Sequence, residues 1–332
     1  MQPGTEATPF AELTPEVILG AIEHLGYQTS GRFLALNSYE NRVYQIGIED
    51  DEPLVAKFYR AGRWPDEAIF EEHSFAAELA ARDIPVIAPL ADVNGDTLFR
   101  YQGQRFAVYP RRGGRRPELE DEQTLRWLGR FLGRLHAVGR AGRFQYRPRL
   151  SVERYGDDAL ERLLASTLLP VELRTNFELA ARQLIEAVRE VITRVGPQTE
   201  IRLHGDFHPG NILWTPRGPH VVDLDDTQSG PAVQDLWLLL WGERSDMAAQ
   251  LRILLEEYRL FCDFDPIEIQ LIEALRALRM LHHCAWVAER WDDPAFPLAF
   301  SWFATPRFWE SQLIEFREQL NAVLGPVLVL DT

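Results

Sequence analysis

The sequence predicts a two-lobed α+β fold, with a small sheet-rich N-terminal lobe and a larger, mainly helical C-terminal lobe. Alternating and β-branched apolar runs dominate the first 110 residues, whereas apolar residues at helical spacing dominate the rest. The segment 110–114, which contains two glycines, separates the two parts. With 332 residues, the chain is long enough to bury a sizeable core in each part.

The N-terminal part, residues 1–110, is predicted to contain several strands and two helices. The first helix covers 14–26, because Thr14 is a suitable N-cap before Pro15 and Gly26 can end the helix. Alternating or β-branched runs predict strands, and Asn94-Gly95 is a typical hairpin turn. The strands are expected at 41–48, 53–59, 91–93, 97–99 and 105–109, and the second helix at 65–82.

The C-terminal part, residues 111–332, is predicted to be mainly helical. Leucines recur at helical spacing between positions 125 and 135. The exception is 200–226, where two short apolar runs flank a turn at 216–219. We expect a hairpin there, with Asp223 at the end of its second strand. Further helices are expected at 171–195, 246–262, 266–290 and 306–323.

Composition places the chain among soluble globular proteins, with 46% apolar and 26% charged residues. No apolar run of 18 or more residues occurs, which argues against a membrane span. The stretch 1–13 is polar and acidic, so we expect no secretion signal. We also expect a cytoplasmic location and a monomer. Cys262 and Cys284 are too few for a disulfide framework and are expected to be reduced core residues.

The chain is acidic overall but contains two local clusters of arginines. A net charge of −15 argues against nucleic acid as a partner, because phosphate backbones attract basic surfaces. Two arginine clusters depart from this acidic balance. They are either solvated basic loops or an anion-attracting rim beside a phosphate site. The clusters are Arg111, Arg112, Arg115 and Arg116, and then Arg140, Arg143, Arg147 and Arg149.

The strongest chemical signal is the run from His204 to Asn211, HGDFHPGN. A loop with Asp206 and then Asn211 can place a carboxylate toward an attacking hydroxyl and an amide oxygen on a metal ion. Asp223, on the other arm of the predicted hairpin, can reach the same ion. Magnesium prefers hard oxygen ligands and retains waters, so two protein ligands and substrate phosphates suffice. The pattern therefore predicts phosphoryl transfer with divided roles for the two aspartates.

This motif resembles the HGDxxxxN loop of the kinase-like superfamily of aminoglycoside phosphotransferases, choline kinases and homoserine kinases. The chain is more closely similar to the stress response kinase A family, whose members resemble Ser/Thr protein kinases in activity. The supporting segments are 36–44, 57–60, 204–214, 223–226, 230–237 and 291–297.

The resemblance implies a protein-kinase-like fold of the aminoglycoside phosphotransferase type, with a nucleotide-binding lobe at 1–110 and a helical lobe at 111–332. The second lobe would carry the catalytic loop 204–211 and a metal-binding hairpin reaching residue 226. Asp206 would be the catalytic base, and Asp223 would also be catalytic. Asn211 and Asp223 would bind Mg²⁺. His204 would be structural, and Asp235 would brace the loop.

The same resemblance implies an ATP site in the N-terminal part. Lys57 would contact the α- and β-phosphates and pair with Glu72, for which Glu71 and Glu78 are rivals. The segment 36–41 contains no glycine, and the Ser38 hydroxyl or backbone amides there would contact phosphate instead. The main chain of Tyr109 and Arg111 would meet the adenine.

Two details stay open in the sequence. Asp225 either assists a second magnesium ion or caps the following turn. Only 11 residues separate Asp223 from Asp235, so we expect no long activation segment and no switching by its phosphorylation.

Three functions are compatible with these residues. The first is a Ser/Thr protein kinase that transfers the γ-phosphate of ATP to a protein hydroxyl. The second is a small-molecule kinase acting on an amino alcohol, homoserine-like or aminoglycoside hydroxyl, attracted by acidic side chains in the helical lobe. The third is a non-catalytic ATP-binding protein, against which the intact set Lys57, Asp206, Asn211 and Asp223 argues.

Overall fold

The computed structural model of the protein describes residues 9–330, so the predicted absence of a signal in 1–13 lies partly outside the described range. The described chain forms two compact units, which confirms the predicted two-lobed α+β class. The first unit contains the chain up to Pro117, Gln145–Arg147 and Pro209–Asp226, and the second contains the rest. The predicted boundary at residue 110 assigned Pro209–Asp226 to the helical lobe, whereas this segment is grouped with the first compact unit. The boundary between the nucleotide-binding lobe and the helical lobe stays a prediction.

The first unit is built on a five-stranded antiparallel sheet that consists of β1 (Thr29–Ala35), β2 (Arg42–Ile48), β3 (Leu54–Phe58), β4 (Phe99–Tyr101) and β5 (Gln104–Pro110). The spatial order of the strands is β1-β2-β3-β5-β4. One face of this sheet is apolar and faces the core. Ala56, Phe58 and Phe106 are fully buried there, and Ala56 and Phe58 share the face because alternate residues of a strand point to the same side. β3 is the central strand of the sheet, so its side chains lie far from either edge.

Two helices accompany this sheet, close to the predicted positions. Helix α1 spans Pro15–His24, and the Thr14 hydroxyl accepts the Val17 N–H at its start, as a cap does. Helix α2 spans Asp66–Ala80 and buries the predicted apolar positions Ile69, Phe75, Ala76 and Leu79. It also buries Glu72 and His73, which places a carboxylate on the inner face of the helix.

The hairpin predicted at Asn94-Gly95 was wrong in its strands. The turn exists, and Gly95 adopts a φ of 91° that favours glycine. However, the Asp92 carboxylate accepts the N–H groups of Asn94 and Asp96, so it satisfies backbone groups that a strand ladder would otherwise use. The hairpin of this region instead joins β4 to β5 through Gln102-Gly103, both with positive φ.

A short hairpin within Pro209–Asp226 completes the first unit. Strand β7 (Ile212–Thr215) pairs with β8 (Gly218–Val221) across a two-residue turn rather than the predicted four-residue turn. β8 therefore ends at Val221, and the expectation that Asp223 ends the strand was wrong. Asp223 lies two residues beyond it with a φ of 62°, in the left-handed region that is uncommon for residues other than glycine.

The second unit is mainly helical, as predicted. The predicted helix at 266–290 is divided into a 3₁₀ segment, Pro266–Leu271, and a following α-helix. A π-helical segment at Glu153–Asp157 and several short elements were not predicted from the sequence. The helices are α3 (Glu122–Arg140), α4 (Asp158–Ala165), α5 (Val171–Val195), α6 (Val233–Trp237), α7 (Arg244–Tyr258), α8 (Ile272–Glu289), α9 (Ala295–Ala299) and α10 (Pro306–Leu324), and the strands are β6 (Ile201–Leu203) and β9 (Gln228–Gly230).

Two further expectations can be compared with the described chain. Cys262 and Cys284 are both buried and free, as predicted. Within residues 9–330, none of the helices combines the length and the apolar character that crossing a membrane requires.

Candidate active site

Lys57, on the central strand β3, lies at the centre of a buried cluster of charges in the first unit. Its Nζ is 3.4 Å from Glu72 Oε1, 3.2 Å from Asp223 Oδ1 and 3.0 Å from Asp225 Oδ1. Burial alone would lower the pKa of Lys57, but the three carboxylates outweigh it and raise that pKa well above its usual value. Lys57 is therefore a permanently charged ammonium group.

The partner of Lys57 on helix α2 is Glu72, the residue that the sequence analysis preferred over its rivals. Glu78 forms a surface ion pair with Arg82. Glu71 accepts the backbone N–H groups of Gln145, Tyr146 and Arg147, at 2.6, 2.8 and 2.9 Å. The structure thus brings Lys57 and Glu72 together, while their contact with nucleotide stays a prediction.

Arg147 is a member of this cluster that sequence reasoning missed. Its guanidinium is buried, with Nη2 2.6 Å from Glu72 Oε2, and it also donates to the carbonyl oxygens of Ala68 and Asp225. The indole ring of Trp64 lies 4.7 Å from the guanidinium carbon. Arg147 was expected either in a solvated loop or in an anion-attracting rim, and both expectations were wrong because its side chain is buried against Glu72. The sequence could not show this burial, which depends on tertiary contacts.

Asp225 is held by cations on two sides. Arg63 forms ion pairs with both Asp225 and Asp226, and Lys57 approaches Asp225 from the sheet. Burial would raise the pKa of Asp225, but the charges of Arg63, Lys57 and Arg147 lower it below its usual range. Asp225 is therefore ionised and paired with these cations, while its assistance to a second magnesium ion stays a prediction.

Asn211 and Asp223 flank the same end of the β7–β8 hairpin. The Asn211 carbonyl accepts the Val222 N–H at 3.0 Å, which fixes the backbone next to Asp223. The Asp223 side chain is 51% exposed, and its strained backbone is of the kind that functional sites retain.

One exposed carboxylate and one amide side chain suit Mg²⁺, which takes further ligands from water and phosphate oxygens. Among residues 9–330, no group of three or more His, Cys, Asp or Glu side chains is arranged to hold a metal by itself. The donor set therefore fits a magnesium ion shared with a phosphorylated substrate rather than a closed metal cage.

The remaining predicted nucleotide residues lie in the same unit. Ser38 is in the turn between β1 and β2, and its hydroxyl donates to the Asn41 carbonyl at 3.2 Å. The Tyr109 hydroxyl, on β5, is 3.1 Å from that of Tyr59. Arg111 is exposed directly after β5. Their roles stay predictions, since these contacts are all within the protein.

Asp206 follows strand β6 in the second unit, on a loop with a rigid support. Asp235 Oδ2 accepts the His204 N–H at 2.8 Å, and its Oδ1 accepts the Gly205 N–H at 2.9 Å. His136 Nε2 lies 3.0 Å from the same Asp235 carboxylate. These contacts confirm the predicted bracing by Asp235, and His136 is an additional support that the sequence pattern did not reveal.

Arg279 and His208 lie beside the carboxylate of Asp206. Its Oδ1 is 2.7 Å from Arg279 Nη1, and its Oδ2 is 3.3 Å from His208 Nε2. Burial would raise the pKa of Asp206, but Arg279, His208 and His204 outweigh it and lower the pKa below the usual range. Asp206 is thus ionised near neutral pH. Arg279 was missed because one arginine on a long helix carries no sequence signal.

Comparison with known proteins places these sites in a family context. The model of the phosphotransferase enzyme family matches residues 32–278. Stress response kinase A of Escherichia coli strain K12 is 43% identical over 328 residues, covering 98% of each chain. The protein named Serine/threonine protein kinase RdoA of Salmonella typhimurium is 43% identical over 324 residues, again covering 98% of each chain.

Solved structures show the same fold at low sequence identity. An amicoumacin kinase in complex with AMP-PNP and Ca²⁺ has a TM-score of 0.70 at 18% identity, covering 92% of each chain. A microcompartment-associated aminopropanol kinase has a TM-score of 0.70 at 18% identity, covering 96% of this chain and all of that one.

Proposed function

Because this chain belongs to the phosphotransferase enzyme family, we propose that it is a Ser/Thr protein kinase that uses Mg²⁺ and ATP. The family, together with relatives named as kinases at 43% identity, makes the chain an ATP-dependent kinase. The proposal adds the acceptor, a serine or threonine hydroxyl of a protein, and the roles of individual residues.

The observation that carries the proposal is the meeting of Lys57, Glu72 and Asp223 in one cluster. Lys57 and Asp223 are 166 positions apart in the sequence, yet Nζ and Oδ1 are separated by 3.2 Å. A phosphate-binding lysine must lie beside the metal-binding aspartate, since both contact the same polyphosphate. Lys57 would bind the α- and β-phosphates, and Glu72 would orient it. Ser38 and the main chain of Tyr109 and Arg111 would contact the rest of the nucleotide.

Asn211 and Asp223 would hold the magnesium ion. When bound, Mg²⁺ would neutralise charge on the transferring phosphoryl group. Asp206 would accept the proton of the attacking hydroxyl, a role for which its carboxylate must be ionised and fixed in position. Its lowered pKa provides the first requirement, and the bracing of the loop by Asp235 provides the second.

A protein acceptor is favoured over a cationic small molecule. Relatives that match nearly the full length include one named as a serine/threonine protein kinase. The solved neighbours that act on small molecules are below 25% identity and indicate the fold alone. In addition, Arg279 lies directly beside Asp206, which disfavours an approaching ammonium group.

The test is phosphate transfer from labelled ATP with Mg²⁺ to a generic Ser/Thr protein and, separately, to amino alcohols and aminoglycosides. We expect labelled phosphoserine or phosphothreonine with the wild type and with Asp292→Asn, a matched change at an exposed position. Asp206→Asn should lose this transfer. Efficient transfer to a small molecule, with none to protein, would replace the proposal with the second sequence candidate.

A further inference from the structure

On the premise of the proposed function, we infer that the acceptor site beside Asp206 selects an acidic protein segment. Arg279 would recognise a carboxylate side chain close to the acceptor serine or threonine. This is a specificity role, and it names the class of protein substrate that the kinase takes.

The first support is the position of Arg279 on helix α8. Its guanidinium is 2.7 Å from the Asp206 carboxylate, yet 40% of its side chain is exposed to solvent. An approaching acceptor can therefore reach the arginine while its hydroxyl approaches Asp206. Arginine binds carboxylates with two parallel hydrogen bonds, which makes it selective for that group.

The second support is the surrounding charge. The Tyr155 ring of the π-helical segment lies 4.3 Å from the His282 ring on α8, so these two elements adjoin. Burial first, and then the positive charges of four arginines, lower the pKa of His282 to about 3. Glu289 pairs with Arg162 and Arg290 and offsets part of this charge, but the four arginines outnumber that carboxylate in a protein whose net charge is −15. The four are Arg154, Arg162, Arg290 and Arg279.

The third support is an aromatic surface next to Arg279 on the same helix. The exposed His283 ring stacks on Trp286, with ring centroids 5.6 Å apart, and Phe300 packs against both rings. Such rings can contact the backbone or an apolar side chain of an extended segment. Together with Arg279 they suit a peptide that carries an acid beside less polar residues.

These contacts suggest how an acidic acceptor gains an advantage. In the free protein, Asp206 Oδ1 is occupied by Arg279. A carboxylate from the acceptor would take over the guanidinium and release Oδ1 for the acceptor hydroxyl. A neutral acceptor cannot make this exchange, and a basic one would be repelled by Arg279. The overall negative charge counts little, since exposed charges are screened beyond about 8–10 Å at physiological salt.

The test compares peptides that differ only in the residues flanking one serine: aspartate, alanine or lysine. With the wild type we expect kcat/KM to be about 10- to 100-fold higher for the aspartate peptide than for the alanine peptide, the range of a charge-assisted contact. Lysine should be the poorest. Arg279→Gln should bring the three values together. Arg276→Gln, one turn earlier on α8, is the matched control and should keep the preference.

Equal kcat/KM for the three peptides with the wild type would overturn the inference, whether or not any variant folds. So would an unchanged preference in a folded Arg279→Gln protein. The ratio between peptides is the readout, because Arg279 also contacts Asp206 and its loss can change the absolute rate.

Binding of aspartate peptides with alanine in place of serine, followed by fluorescence anisotropy, separates this inference from the proposed function. Arg279-dependent binding without transfer to any peptide would support acid recognition and reject the kinase proposal. If neither transfer nor binding occurs, both are rejected.

Discussion

The surroundings of Lys57 and of Asp206 use the same kinds of charges in opposite ways. Lys57 is a cation enclosed by three carboxylates, and only 7% of its side chain is exposed. Asp206 is a carboxylate approached by Arg279 and His208, and 20% of its side chain is exposed. The first cluster encloses its lysine and reaches solvent mainly through Asp223, whereas the second leaves its charged groups within reach of solvent.

The difference has a physical meaning. A buried ion pair costs several kcal/mol in desolvation per ion, and it is retained only when every charged group has partners. The Lys57 cluster meets this condition through Glu72, Asp225, Arg147 and Arg63, so it would suit the phosphate binding that we propose, which is the same in every turnover. The pairs of Asp206 can be exchanged at lower cost, which would suit the binding and release of the acceptor that we propose.

The largest expected effect is on turnover at the open cluster. Asp206→Asn should reduce phosphate transfer by about 10²–10⁴-fold, the usual contribution of a positioned general base. ATP affinity should stay near wild type, since the Lys57 cluster is intact. Steady-state kinetics and a nucleotide titration measure the two effects, with circular dichroism as the folding control. Unchanged turnover in the folded variant would remove Asp206 from its role.

The closed cluster should respond in stability. Arg147→Met leaves the Glu72 carboxylate without one of its buried cations, so we expect a loss of about 3–5 kcal/mol in the free energy of unfolding. Arg143→Met changes an exposed arginine of the same loop and should stay within about 0.5 kcal/mol. Urea unfolding measures both. Equal free energies of unfolding for the two variants would contradict the claim that the buried Arg147–Glu72 pair stabilises the protein.

Asp223 belongs to the closed cluster but is half exposed, so it tests the comparison directly. Asp223→Ala should weaken binding of Mg²⁺ and ATP by at least about 10-fold and also reduce turnover, since loss of even an outer-shell partner of a metal ligand costs about 10- to 100-fold in affinity. Calorimetric titration with and without Mg²⁺ distinguishes loss of the metal site from loss of nucleotide contact. Wild-type affinity in this variant would mean that Asp223 does not bind the metal.

The smallest effect, measured per pH unit, concerns the helix that supports the loop of Asp206. Glu268 accepts the Val233 N–H at the start of α6, the helix that carries Asp235, and burial raises the pKa of Glu268 from 4.5 to about 7. The folded protein therefore keeps a proton that the unfolded chain releases. The free energy of unfolding should fall as pH rises between these values, by at most about 1.4 kcal/mol per pH unit.

Unfolding at several pH values measures this slope. Glu268→Gln should flatten it, whereas Glu172→Gln, at an exposed position, should not. A slope that survives in Glu268→Gln would assign the pH dependence to another group.

Much of the architecture was predictable because it depends on local patterns. Helices α3, α5 and α10 were found from apolar spacing, and α1 from its cap at Thr14. The strands around Asn94-Gly95 were wrong because a side chain, Asp92, competed for backbone N–H groups. The π-helical segment Glu153–Asp157 was missed because its hydrogen-bond pattern has no distinctive residue spacing.

The sequence by itself determined the fold class, the family resemblance and the identity of the chemical groups, since the motif around Asp206 and Asn211 is contiguous. The tertiary structure alone decided which charges meet. Arg63, Arg147 and Arg279 look like ordinary surface residues in the sequence, but folding buries the first two among carboxylates and sets the third beside Asp206. The physical reason is that the energy of a charge depends on its burial and its partners, and residues far apart in the chain supply both.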